Sequence, residues 1–205
     1  MNKKSLAFIL IAVLGAILVW ILFFWSPVTE SEKPEHQALE LSATPVGGDF
    51  SVEIQNKDLA LADLRGKVVL LYFGYTQCPD ICPTNLSLMT QAFNQLSEDE
   101  LAKVNGLFVS VDPERDNTTR LDEYVKYFHA NIIGATTEQD KIDEITKLYG
   151  AAYRIVEGDS AMGYTVDHSS YTYVIDKKGK LRHTLEHATP SAKILEVVRE
   201  LLAED

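Results

Sequence analysis

The sequence predicts an α/β fold in which helices flank a central mixed sheet, preceded by an N-terminal transmembrane helix. Residues 68–73 form an apolar run without polar alternation, which is typical of a strand buried on both faces. Further along the chain, predicted strands alternate with predicted helices, as they do in α/β folds. Residues 6–25 contain no charged or strongly polar side chain, which indicates a membrane span.

The N-terminal apolar segment is long enough to cross a bilayer. Twenty helical residues extend about 30 Å, which matches the hydrocarbon core. Lys3 and Lys4 precede the segment, so the positive-inside rule places residues 1–4 in the cytoplasm. A cleaved signal peptide is the alternative. Its apolar core usually has only ~7–15 residues and is followed by an Ala-x-Ala cleavage site. The apolar segment of this chain is longer, and no Ala-x-Ala site follows it. We therefore expect a single-pass anchor over residues 5–25 in a bacterial inner membrane, with the C-terminal domain in the periplasm.

The remainder of the chain divides into a linker and one globular domain. Residues 26–45 hold Pro27, Pro34 and Pro45 and little hydrophobic periodicity, so they are predicted to form the linker. Residues 46–205 form the predicted domain. The whole chain of 205 residues has a formal net charge of −11. This acidity argues against nucleic acid as a partner, because nucleic-acid binders need a basic surface.

The predicted elements of the domain follow from its hydrophobic patterns. Alternating or continuous apolar runs predict strands, and stripes of apolar residues at helical spacing predict helices. The expected strands cover residues 50–54, 68–73, 104–111, 170–175 and 181–185, and the expected helices cover residues 83–96, 121–128, 142–149 and 192–202. A buried strand that leads into a cysteine pair at a helix start, followed by a closing hairpin and helix, is the thioredoxin-like arrangement.

Cys78 and Cys82 are the only cysteines of the chain, and they lie between the predicted strand at residues 68–73 and the next helix. Pro83 suits the first position of that helix, which would place Cys82 near the N-cap. The positive end of the helix dipole favours a thiolate, which is both the nucleophile and the metal ligand. Two thiols at this spacing can form a structural disulfide, exchange a disulfide or hold a soft metal.

His168 is the candidate third ligand. It precedes the predicted hairpin strand, and in a thioredoxin-like arrangement the loop before that strand packs against the cysteine turn. The alternative is a solvated or hydrogen-bonded loop histidine. Two thiolates and one imidazole select soft metals, and outside the cytoplasm a three-ligand site of this kind favours copper over zinc. The four other histidines are predicted to have no role in the site: His36, His129, His183 and His187.

Three motifs of the chain together resemble the Sco/SenC family. They are Tyr-Phe-Gly-Tyr-Thr-Gln-Cys-Pro-Asp-Ile-Cys-Pro at residues 72–83, Val-Ser-Val-Asp-Pro-Glu-Arg-Asp at residues 109–116, and Tyr-Thr-Val-Asp-His-Ser-Ser at residues 164–170. The resemblance implies a thioredoxin-like domain that binds Cu(I) or Cu(II) through Cys78, Cys82 and His168. It further implies that Asp80 and Asp112 lie near the metal or help to dock a partner, although Asp112 could also be a turn-capping residue.

The resemblance also implies a function. Members of the family deliver copper to the binuclear copper site of cytochrome c oxidase subunit II, or reduce the thiols of that site. A metallochaperone would need a periplasmic copper donor and a thiol reductant as partners. The alternative is a thiol–disulfide oxidoreductase, which would use Cys78 and Cys82 as a redox pair and would not need His168. A peroxidase on a related fold is less favoured, because no activating neighbours of a peroxidatic thiol are evident.

Overall fold

The computed structural model of the protein describes residues 3–24, 38–55, 57–158 and 163–204. These residues belong to two compact units that divide after residue 35. The first contains helix α1 (Lys3–Phe24), which covers all but the last residue of the predicted anchor. Within the described part of the chain, no helix is found with both the length and the apolarity needed to span a membrane. Trp25 and most of the predicted linker, residues 26–37, lie outside the described residues.

The second unit is organised around a five-stranded mixed sheet. Its strands lie in the order β10-β9-β4-β5-β6. Strands β4, β5 and β6 pair in parallel, and β9 is antiparallel to both of its neighbours, β4 and β10. The prediction of a mixed sheet is therefore confirmed, and its strands are β4 (Val68–Gly74), β5 (Val104–Ser110), β6 (Ile132–Ala135), β9 (Thr172–Ile175) and β10 (Leu181–Leu185).

Strand β4 is the centre of the hydrophobic core. All seven of its residues are buried, as are all seven of β5. This burial on both faces explains why neither strand shows polar alternation in the sequence. Helices supply the covering layers, with α2 packed against α6 and α4 packed against β6. The helices are α2 (Ile81–Phe93), α3 (Glu98–Leu101), α4 (Thr118–Phe128), α5 (Gln139–Leu148) and α6 (Ser191–Ala203).

Two smaller sheets complete the unit. One has the order β1-β8-β7, with β1 (Ala38–Leu39), β7 (Tyr153–Glu157) and β8 (Tyr164–Ser169). The other is a hairpin of β2 (Ser51–Ile54) and β3 (Lys57–Ala60). Sequence analysis predicted β2 but not β1, β3, β6, β7 or β8. These strands are short or irregular in pattern, and tertiary pairing stabilises them where local propensity is weak.

The folded unit begins earlier than residue 46. The predicted linker, residues 26–45, extends too far, because its last eight residues pack on the domain. Ala38 and Leu39 pair in parallel with His168 and Ser169 of β8. Ser42 donates its backbone N–H to the carbonyl of Gly150 at 2.8 Å. Prolines and charges in this segment led to the linker prediction, but backbone pairing with β8 does not depend on side-chain pattern.

The burial of β4 leads to a stability prediction. Leu71 is fully buried at the middle of this strand, whereas 88% of the surface of Tyr127 is exposed. Leu71→Ala should lower the free energy of unfolding by about 2–5 kcal/mol, because it leaves a cavity in a packed core. Tyr127→Ala, the control, should change it by less than about 0.5 kcal/mol. Urea unfolding of the full chain in detergent, followed by circular dichroism, measures both, and equal losses would contradict this account of the core.

Candidate metal centre

The structure brings Cys78, Cys82 and His168 together. Their two Sγ atoms and one imidazole nitrogen all lie within 4.8 Å of one another. All three residues are buried, and both cysteines are thiols in this structure. Among the described residues, this is the sole cluster of three or more potential metal ligands of the types His, Cys, Asp and Glu. The sequence-predicted ligand set is therefore one compact group, although 86 residues separate Cys82 from His168.

The cysteine turn differs in one detail from the prediction. Helix α2 begins at Ile81 with Asp80 as its N-cap, two residues before the predicted start at Pro83. Pro83 is tolerated in the third helical position because the first N–H groups of a helix have no intrahelical acceptor. Cys82 thus lies within the first turn, and its own N–H donates to Cys78 Sγ at 3.3 Å. This hydrogen bond holds the Cys78 sulfur, on the loop, against the first turn of α2.

His168 lies in strand β8, not in a loop as predicted. Its Nε2 is 3.3 Å from Cys82 Sγ, and its Nδ1 is 3.0 Å from the carbonyl oxygen of Ser169. A carbonyl oxygen can only accept a hydrogen bond, so Nδ1 carries the proton of the neutral imidazole. Nε2 therefore presents a lone pair towards the cysteine sulfurs. Backbone structure in β8 thus selects the tautomer that a metal ligand needs.

Gly74, the last residue of β4, makes room for one of the sulfurs. A Cβ atom at this position would lie 2.6 Å from Cys82 Sγ and 2.8 Å from a ring carbon of Phe108. Neither atom could retreat easily in a packed interior. A glycine is therefore required where the strand ends and the cysteine loop begins.

Burial controls the protonation of Cys82. It raises the pKa of the Cys82 thiol well above its usual value, and the nearby Cys78 raises it further. Hydrogen bonds from the Tyr75 backbone and the Tyr72 side chain oppose this effect without overcoming it. For Cys82, the expectation that the helix N-terminus favours a thiolate is therefore wrong. Removal of the sulfur from water outweighs the partial charge of the helix end.

Asp112 anchors a cluster of side chains beside the site. The carboxylate is buried, accepts from Arg115 Nε at 2.5 Å and accepts from the Tyr164 hydroxyl at 2.8 Å. The Arg115 guanidinium lies over the Tyr164 ring at 3.6 Å and over the Tyr75 ring at 5.7 Å. Tyr75 in turn meets the His168 ring edge-to-face, with centroids 5.9 Å apart. Asp112 therefore connects its own loop to β8, so its role extends beyond that of a local turn-capping residue.

Asp80 is placed differently from Asp112. It is exposed at the start of α2, and its side chain makes no capping hydrogen bond. It lies two residues from each cysteine in sequence, and it is exposed whereas both cysteines are buried. This position is compatible with the predicted role in docking a partner, which stays a prediction.

Asp116 is the residue that sequence analysis overlooked. It is buried, and its carboxylate accepts from the Thr76 N–H at 2.8 Å, the Thr76 hydroxyl at 2.5 Å and the Ser110 hydroxyl at 2.7 Å. Thr76 lies in the loop that carries Cys78. The available signal was the second aspartate of the 109–116 motif, four residues after Asp112. Asp116 holds the cysteine loop against the end of β5.

Of the other histidines, the three that the structure describes do not belong to the cluster. His129 follows α4 and accepts a hydrogen bond from the Asn131 N–H, and burial lowers its pKa. His183 lies in β10 and is half-buried, so the prediction that it is a surface residue is only partly correct. His187 is exposed, as predicted. His36 lies outside the described residues.

Comparison with known proteins identifies the family. The sequence model of the SCO1/SenC family matches residues 39–203, which is most of the chain and nearly all of the folded unit. The chain belongs to the SCO1/SenC family. The matched segment begins at Leu39 in β1, which agrees with the early start of the folded unit in the structure.

Individual SCO1/SenC relatives are similar over most of their lengths. An SCO2-like protein of Rickettsia conorii is 39% identical over 157 residues, which cover 75% of this chain and 76% of the relative. The structure of Arabidopsis thaliana ScoI with copper bound has a TM-score of 0.69 and 34% identity, covering 76% of this chain and 97% of that one. The structure of Bradyrhizobium japonicum ScoI with copper bound has a TM-score of 0.70 and 29% identity, covering 77% and 99%. The thioredoxin-type fold is thus shared with these proteins.

The Asp116 contacts generate a second prediction. Asp116→Asn keeps the shape of the side chain but replaces one acceptor oxygen by a donor NH2 group. That group would face the donors of Thr76 and Ser110, which need an acceptor. The free energy of unfolding should fall by about 1–3 kcal/mol, because buried polar groups lose their partners. Asp122→Asn is the matched control, since it breaks only the surface pair with Lys126 and should cost about 0.3–0.5 kcal/mol. Equal urea midpoints for the two variants would contradict the conclusion that Asp116 stabilises the position of the cysteine loop.

Proposed function

We propose that this SCO1/SenC chain binds one copper ion through Cys78 Sγ, Cys82 Sγ and His168 Nε2. The observation that carries the proposal is the convergence of three soft donor atoms within 4.8 Å in a buried position. Two thiolates and an imidazole suit copper, in particular Cu(I). The structures of ScoI from Arabidopsis thaliana and Bradyrhizobium japonicum contain copper, which supports the same cargo here.

The surrounding residues fit this donor set. His168 Nδ1 is occupied by the Ser169 carbonyl, so Nε2 is the nitrogen available to an ion. Cys82 and His168 are fully buried, so solvent does not compete strongly for the donor positions. The thiols must lose their protons to bind a metal, and copper loading therefore releases protons. Bound copper would supply a soft cation that the chain holds and passes on.

The proposed destination of the copper is the binuclear site of cytochrome c oxidase subunit II. Resemblance to the Sco/SenC motifs supports this step. A periplasmic copper donor would load the site, and Asp80 and Asp112 are candidates for contacts with partners or with the metal surroundings. The exposed position of Asp80 supports contact with a partner, and the buried position of Asp112 supports a role within the domain.

We propose that residues 5–25 anchor the chain in a bacterial inner membrane as a single span. Residues 1–4 would then be cytoplasmic, and the folded domain would lie in the periplasm. The uncharged sequence of residues 6–25, together with Lys3 and Lys4 before it, supports this arrangement. The oxidising periplasm would turn the two thiols into a disulfide unless a thiol reductant keeps them reduced.

A second candidate function is thiol–disulfide exchange, in which the Cys78–Cys82 pair reduces the cysteines of a target. The proximity of the two sulfurs, which lie within 4.8 Å of each other, favours it. Attack by one thiolate on a target disulfide would form a mixed disulfide and free one target thiol. Attack by the second cysteine would then free the other target thiol and leave the Cys78–Cys82 disulfide. Both functions need reduced cysteines, so they can follow one another in the same protein.

Removal of His168 separates the two functions. The reduced full chain in detergent is titrated with Cu(I) against a competing chromophoric chelator. His168→Ala should bind Cu(I) at least about tenfold more weakly, or ~1.4 kcal/mol, because one of three donors is lost. His187→Ala is the matched control, since this histidine is exposed, and its affinity should equal that of the parent. Equal affinity in His168→Ala and the parent would contradict the three-donor site.

The cysteines should be needed for both activities. Cys78→Ser and Cys82→Ser should each abolish tight one-to-one Cu(I) binding and disulfide formation, because a serine hydroxyl is a poor ligand for a soft metal. His168→Ala should still form the Cys78–Cys82 disulfide, which is measured by counting thiols after mild oxidation. Tight Cu(I) binding in either serine variant would locate the site elsewhere.

A further inference from the structure

A buried amide on α2 determines how a phenol hydroxyl beside the copper site is oriented. Asn85 lies three residues after Cys82, so the two side chains share a face of the helix. Asn85 Nδ2 is 3.0 Å from the Tyr72 hydroxyl oxygen and 3.1 Å from the Ser170 carbonyl oxygen. Its Oδ1 is 3.0 Å from the backbone nitrogen of Ala188. This amide joins α2 and β4 to the turn between β8 and β9 and to the segment that follows β10.

The two backbone partners establish which end of the amide is which. A carbonyl oxygen can only accept a hydrogen bond, so the NH2 group must face Ser170. A backbone N–H can only donate, so the amide oxygen must face Ala188. The Asn85 amide therefore has one orientation, and the remaining hydrogen of its NH2 group is donated to the Tyr72 oxygen.

Tyr72 consequently accepts from Asn85 and keeps its own hydroxyl hydrogen to donate. The Tyr72 ring packs edge-to-face against the His168 ring, with centroids 6.1 Å apart and an interplanar angle of 84°. Cys82 Sγ lies 3.3 Å from Nε2 of that same His168 ring, and Cys82 precedes Asn85, the partner of the Tyr72 hydroxyl, by one turn of α2. Tyr72, Cys82 and His168 are all fully buried, so bulk water does not compete for this hydrogen.

We propose that Tyr72 is a positioning residue of this site, whose hydroxyl donates a hydrogen bond to Cys82 Sγ and is held in that orientation by Asn85. The consequence for copper rests on the proposed function, whereas the consequence for thiol chemistry does not. Hydrogen bonds to a cysteine sulfur tune the redox potential of copper–thiolate centres. A donor of this kind stabilises electron-rich sulfur, so it favours the dithiol over the disulfide and Cu(I) over Cu(II).

The first test uses the full chain in detergent without copper. Glutathione reduces the Cys78–Cys82 disulfide to two thiols, and two glutathione molecules become one glutathione disulfide, so the thiol–disulfide equilibrium can be measured directly. Tyr72→Phe should shift this equilibrium about threefold or more towards the intramolecular disulfide. Tyr149→Phe is the matched control, because it also deletes a buried hydroxyl with one hydrogen bond, to the Gly48 carbonyl, and should leave the equilibrium unchanged.

The second test uses the copper-loaded protein. The sulfur-to-Cu(II) charge-transfer band of Tyr72→Phe should move to longer wavelength than in the parent, because sulfur electrons are bound less tightly without the donor. Tyr149→Phe should keep the parent band. A change of fold alone would not shift this band selectively, and circular dichroism of each variant verifies that it is folded.

The outcomes separate this inference from the proposed function. A Tyr72→Phe equilibrium with glutathione equal to that of the parent would overturn the inference. If the parent binds no copper, the proposed function fails, and the glutathione comparison still decides the role of Tyr72. If Tyr72→Phe does not fold, Asn85→Ala takes its place, because it releases the hydroxyl and should shift the equilibrium in the same direction. Absence of a shift in Asn85→Ala would then overturn the inference.

Discussion

The buried central strand β4 determines where the three donor atoms can meet. Its hydrogen bonds to β5 and β9 hold it in the middle of the mixed sheet. At its end, Gly74 leaves the space that Cys82 Sγ occupies. Tyr72, on the same strand, packs against His168 from the adjoining sheet. Because β4 cannot shift without disturbing a close-packed core, the cysteine loop that follows it starts from a rigid position.

Hydrogen bonds hold the polar groups around the site in place, some between distant parts of the chain and some between near neighbours. Asp116 holds Thr76, Asp112 holds Arg115 and Tyr164, and the Ser169 carbonyl holds His168 Nδ1. In a dry interior such bonds are strong when complete and costly when broken. The site therefore consists of preorganised donors, which suits a protein that must bind a soft cation without first rearranging. Burial also keeps Cys82 protonated, so metal binding and thiol oxidation both require a proton to leave.

Sequence analysis predicted the elements that carry strong local patterns and missed those that depend on pairing. The apolar runs of β4 and β5 and the stripes of α2, α4, α5 and α6 were sufficient to identify these elements. Strands β1, β7 and β8 form one small sheet whose members are stabilised by one another, so no single segment signals it. His168 was correctly associated with the cysteines but assigned to a loop, because the pairing of β8 with β1 and β7 is not visible locally.

The sequence by itself determined the chemistry of the donors: two cysteines at a strand-to-helix turn, and one histidine within a recognisable motif. It also determined the central strand, because an uninterrupted apolar run has few other stable conformations in a folded domain. The tertiary structure decided the tautomer of His168, the protonation of Cys82 and the importance of Asp116 and Asn85. These properties depend on the contacts of the folded backbone, most of them between residues far apart in sequence, and on exclusion of water, which exists only after the chain has folded.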